Sequence, residues 1–147
     1  MSFRHVRQLT SIREEFLAAR AALALAVEHW PALHTTRQLQ AQTLRMMRAA
    51  DTNLEMTYLV RAFARFEAVL RDHWIAARPG SRLPPRAETL INRVASRHRL
   101  PAAIRDAAHR VRRYRNAVAH ETRNALPMTL AEALATLNRF VAPLPDV

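Results

Sequence analysis

The chain has a single glycine, Gly80, among 147 residues. Tight hairpin turns depend on residues that accept positive φ, glycine above all, so a chain this poor in glycine has few ways to reverse β-strands. An all-β fold is therefore disfavoured. Alanine, leucine and arginine dominate instead, and all three are good helix formers. Apolar residues also recur at spacings of three and four, the period of one helix face. The expected fold is all-α.

Leu9, Ile12, Phe16, Ala19, Leu23 and Val27 predict a first helix over 4–29, closed by Pro31. Leu39, Thr43, Met46 and Met47 predict a second over 36–50. Asp51 suits an N-cap for a third over 52–78, whose stripe is Leu59, Phe63, Phe66, Leu70 and Trp74. Residues 78–85, with Pro79, Gly80, Pro84 and Pro85, form the one clear loop. A short fourth helix is expected over 86–96. A fifth runs from Pro101, suited to a first turn, to His120. Thr129 and Glu132 have capping-box spacing for a sixth over 130–141. The expected architecture is one domain over 1–147, an antiparallel bundle of about five to six helices built around the third and fifth.

All 23 basic residues are arginines, against 12 acids, for a net charge of +11. Such a surface attracts polyanions, and a guanidinium matches phosphate forkwise. Nucleic acid is thus the expected partner class. The chain has no cysteine, which removes disulfides and thiolate metal sites. The longest apolar run, Ala21 to Val27, is too short to span a bilayer, so no membrane partner and a cytoplasmic location are expected. Met1-Ser2-Phe3-Arg4 starts no signal peptide. One glycine cannot build a phosphate-binding loop. No His-Glu-x-x-His occurs, and His5, His29, His34 and His73 lack metal-ligand spacing, so neither metal nor cofactor is expected.

The chemistry concentrates in Arg115-Asn116-Ala117-Val118-Ala119-His120. An arginine that holds phosphate and an imidazole that titrates near neutrality suffice to cut RNA without a metal. Arg115 projects onto the apolar face of its helix, between Val111 and Val118. A guanidinium there must be paired, for example with Glu67 or Glu55 on a packed neighbour, or must reach a ligand. His109, Arg112, Asn116 and His120 form a second stripe, read either as a solvated face or as one side of a site. Asn116 and His120 are i, i+4 neighbours, so the amide can orient the imidazole. Arg115 and His120 lie about 140° apart on an ideal helix, so they converge only at a frayed end, a crevice or a dimer seam. Arg110, Arg112 and Arg113, with His109, form a basic patch that can track an RNA backbone. Tyr114, Trp30 and Trp74 read as core aromatics. Arg-x4-His occurs a second time at Arg93 and His98; Asn116 and the polar stripe single out the later copy.

Arg115-Asn116-x-x-x-His120, late in the penultimate helix of an all-α domain of this size, resembles the Arg-x4-6-His motif of the HEPN superfamily, the higher eukaryotes and prokaryotes nucleotide-binding domains. The resemblance covers about residues 51–141, with the helices of 1–50 packed on that core. It implies a metal-independent endoribonuclease that acts as a homodimer, with two motifs meeting at the interface. It further implies a toxin of a toxin–antitoxin or phage-defence system, with a cognate antitoxin protein as a partner. By position, Arg115 and His120 would be catalytic, Asn116 would support them, and Glu67 resembles the acid on the facing helix. Glu121-Thr122 departs from the x-Tyr that follows the histidine in the nucleotidyltransferase-paired branch. The alternative function is a non-catalytic helical module that binds RNA or a protein through its arginine surface.

Overall fold

A computed structural model describes residues 3–29, 37–80, 84–120 and 126–147. Its described elements are α1 (Phe3–His29), α2 (Arg37–Ala77), α3 (Ala87–Arg97), α4 (Ala102–Ala119) and α5 (Leu130–Val141). No described residue is in a strand, and the helices form a bundle. No described helix is long and apolar enough to cross a membrane. The expected stop at Pro31, along with Trp30, His34 and Glu121-Thr122, lies outside the described residues.

The predicted third-helix stripe is the spine of the core. Leu59, Phe63, Phe66, Leu70 and Trp74 are all buried. Phe66 packs edge-on against Phe140 of α5 at 5.2 Å and tilts against Phe63 at 5.7 Å. Leu90 and Ile91 of α3, Ala108 and Val111 of α4, and Leu134 and Leu137 of α5 close around these rings. Among the described residues of α1, Leu9, Ile12 and Phe16 enter the core, with Val6 packed against it.

One boundary departs from the sequence reading. The second and third predicted helices are a single helix, α2, of 41 residues. Asp51 does not cap a new start; it lies inside α2 and pairs with Arg20 of α1 at 3.3 Å. Breaking the helix there would orphan several backbone N–H and C=O groups, whereas an interior aspartate costs under about 1 kcal/mol. At 1.5 Å per residue α2 is about 60 Å long. α1 runs antiparallel along it, tied by Arg65 donating to Gln8 at 2.9 Å and by the Arg61–Glu15 pair.

The turn from α3 to α4 shows how the chain manages without glycine. Leu100 N–H bonds to Ala95 O at 2.9 Å and Arg99 N–H to Ser96 O at 3.2 Å, a Schellman pattern. Its left-handed position, usually glycine, is held by Arg99 at φ 53°. At the start of α5 the predicted capping box is present, with Thr129 and Glu132 exchanging hydrogen bonds. Glu55 of α2 adds a further acceptor there, bonding Leu130 N–H at 2.9 Å. Two carboxylates thus meet the positive end of the α5 dipole.

Candidate functional site

α4 runs antiparallel to α3 and packs on α2 and α5. Its register is set by Arg112 pairing with Glu88 at 3.1 Å and His109 meeting Asn92 at 2.9 Å. This places Arg115 over α2. Its guanidinium lies 4.6 Å from the centroid of the Phe63 ring and 3.5 Å from a Glu67 carboxylate oxygen. Of the two acids considered for Arg115, Glu67 is the partner, while Glu55 serves α5. Glu67 is shared, because Arg71 one turn further along α2 donates to it at 2.6 Å. Arg115 retains 25% side-chain exposure and Glu67 17%. The arginine is therefore neither buried nor free: an aromatic ring and a shared carboxylate hold it, with part of its fork left to solvent.

His120 sits where α4 ends. Its backbone N–H closes the last turn on Asn116 O at 3.0 Å, and its side chain is exposed. Asn116 is half-buried, and among the described residues its amide makes no hydrogen bond to the imidazole. The structure thus joins Asn116 to His120 through the backbone. The described contacts bring Arg115 together with Glu67 but not with His120, consistent with their separation around the helix.

The basic patch splits in two. Arg112 is drawn between the helices, 19% exposed and paired with Glu88. His109 is half-buried beside it. Burial first, then the guanidinium of Arg112, holds its pKa below the usual histidine value, with Glu88 opposing. Arg110 and Arg113 remain exposed on the other side of α4. They line a groove against α5 with Tyr114, and Arg139 of α5 joins them. Tyr114 is half-buried against the core, as expected of a core aromatic, but it also borders this groove.

Arg71 and Arg139 were not singled out by the sequence. Arg71 was visible in principle, since Glu67 and Arg71 are an i, i+4 pair. Arg139 carried no such signal, because only packing brings α5 beside α4. No family model, curated protein or solved structure matches this chain.

Proposed function

We propose that the protein is a metal-independent endoribonuclease of HEPN type, working as a homodimer and serving as the toxin of a toxin–antitoxin or phage-defence pair. The observation that carries this reading is the state of Arg115: a guanidinium held by Phe63 and Glu67 with part of its fork in solvent, on the helix that ends at the exposed His120. A held, accessible cation suits a phosphate that gains charge in the transition state. His120 takes the proton from the ribose 2′-hydroxyl as that oxygen attacks phosphorus. A second imidazole gives a proton to the departing 5′-oxygen. A two-fold dimer supplies that second histidine from the other copy, together with a second arginine. The products are a 2′,3′-cyclic phosphate and a 5′-hydroxyl. Arg110, Arg113 and Arg139 provide a basic approach for the strand.

The test is degradation of RNA by purified protein in EDTA, with His120→Ala alongside. Cleavage by the wild type alone supports the assignment. Cleavage by both proteins, or by neither, overturns it. A second reading has its own support: the Arg115–Glu67–Arg71 cluster also serves as a structural ion pair between α4 and α2. On that reading the protein is a non-catalytic module that binds RNA or a protein, and Arg115→Ala changes stability without removing any activity.

A further inference from the structure

Glu67, Arg71 and Trp74 recur at i, i+4 and i+7, so they share one face of α2, and Arg78 follows directly after its last residue, Ala77. Trp74 lies about 10 Å along the helix axis from Glu67. At that far end α2 and α3 enclose a cleft of about 500 Å³, lined by Trp74, Arg78, Arg93, Ser96 and Arg97. The Arg78 guanidinium lies 4.4 Å from the Trp74 ring centroid and the Arg93 guanidinium 4.8 Å. Neither of these arginines, nor Arg97, pairs with a carboxylate among the described residues.

Trp74 and His73, which line the cleft, also carry buried polar atoms. Trp74 is 8% exposed and His73 3%. The indole Nε1 and imidazole Nε2 have no hydrogen-bond partner among the described residues. Buried polar groups are normally matched, and three cations held together without an acid among the described residues repel one another. An anion that accepts several hydrogen bonds and tolerates an aromatic neighbour relieves that repulsion. Phosphate does so, and the guanidinium fork fits its oxygens.

We propose that the cleft of Trp74, Arg78, Arg93 and Arg97 binds a phosphodiester group of single-stranded RNA, a second hold on the strand that the ribonuclease reading places at Arg115 and His120. The α2 face carries Arg71 between the two points, so a strand leaving Arg115 along it stays beside positive charge. The inference rests on RNA being the ligand, as under the proposed function.

The experiment uses the full chain carrying His120→Ala, to keep RNA intact, and Trp30→Phe, to leave Trp74 as the only indole. Anisotropy of a labelled twelve-nucleotide oligouridylate is followed over a range of salt. Removing two single-strand phosphate contacts by Arg93→Ala with Arg97→Ala lowers the slope of log K against log salt by about 1.4 and weakens binding about tenfold near 0.15 M salt. Arg13→Ala with Arg45→Ala removes the same charge from exposed sites elsewhere and changes binding much less. Saturation with the oligomer changes Trp74 emission. Arg97→Gln alters one exposed side chain and gives about half the slope change, which separates a contact effect from misfolding.

Unchanged affinity and slope in the cleft variants overturns the proposal, as does an equal loss in the charge-matched control. So does uridine monophosphate that shifts Trp74 emission with the affinity of the oligomer, since the cleft would then be a mononucleotide site. Cleavage is measured separately on the chain with His120 intact. Arg93- and Arg97-dependent RNA binding without cleavage supports the cleft and removes the nuclease reading. Cleavage with binding indifferent to these arginines does the reverse.

Discussion

Replacing Arg115 by alanine discriminates between a ligand-binding arginine and a structural one. Breaking a fully buried ion pair by removing one partner costs about 3–5 kcal/mol, because the other charge is stranded. Here Glu67 would not be stranded: it keeps Arg71 at 2.6 Å and has some solvent contact. What is lost is the contact with Phe63, about 1 kcal/mol for a partly desolvated cation over a ring. A 3.5 Å pair with 25% exposure on the arginine adds under about 1 kcal/mol. The expected loss is therefore about 1–2 kcal/mol, or about 3–6 °C in Tm for a chain of this size. Urea unfolding followed by helical circular dichroism measures it, alongside RNA cleavage by the same preparation. The expected result is a folded protein that no longer cuts. A loss above about 3 kcal/mol would refute the reasoning, because it would mean that Arg71 does not compensate Glu67. Retained cleavage at modest destabilisation would remove Arg115 from the chemistry.

Four further outcomes follow from the same geometry. His120→Ala, at an exposed helix end, should abolish cleavage while shifting stability by less than about 0.5 kcal/mol in urea unfolding. Arg99→Gly should raise stability by about 0.5–1 kcal/mol, since the left-handed turn at φ 53° carries a side-chain penalty that glycine avoids; a lower Tm would contradict it. Thr129→Ala should cost about 1 kcal/mol by opening the α5 capping box, seen as a lower urea midpoint. His73 is held neutral, its pKa lowered to about 4 chiefly by burial and then by His98 and His5. The unfolded chain therefore binds more protons than the folded one between about pH 6.5 and 4, and stability should fall as pH drops through that window. His73→Phe should flatten that slope in urea midpoints taken across it; an unchanged slope would assign the pH dependence elsewhere.

Much of the helix layout was legible locally. The α5 capping box, the start of α4 after Pro101 and the buried stripe from Leu59 to Trp74 depend on neighbours within a few residues, so spacing alone located them. The break at Asp51 was misplaced for the same reason: a local capping signal was present, but the helix runs through it and Arg20 takes the carboxylate. The end of α3 was hard to see because the usual glycine is replaced by Arg99.

The candidate site divides along the same line. The sequence alone determined that the chain is helical, that its surface is strongly cationic, and that an arginine, an amide and a histidine gather at the end of one helix. Backbone periodicity and residue chemistry suffice for each of these. Which cations are already matched follows from helix packing. It gave Arg115 to Phe63 and Glu67, drew Arg112 and His109 against Glu88 and Asn92, brought Arg139 beside Arg110 and Arg113, and left Arg78, Arg93 and Arg97 around Trp74 without an acid among the described residues. Such matching depends on distances of a few ångströms between residues far apart in the chain, set by how helices cross, and 23 identical cations carry no local mark of which will find a partner.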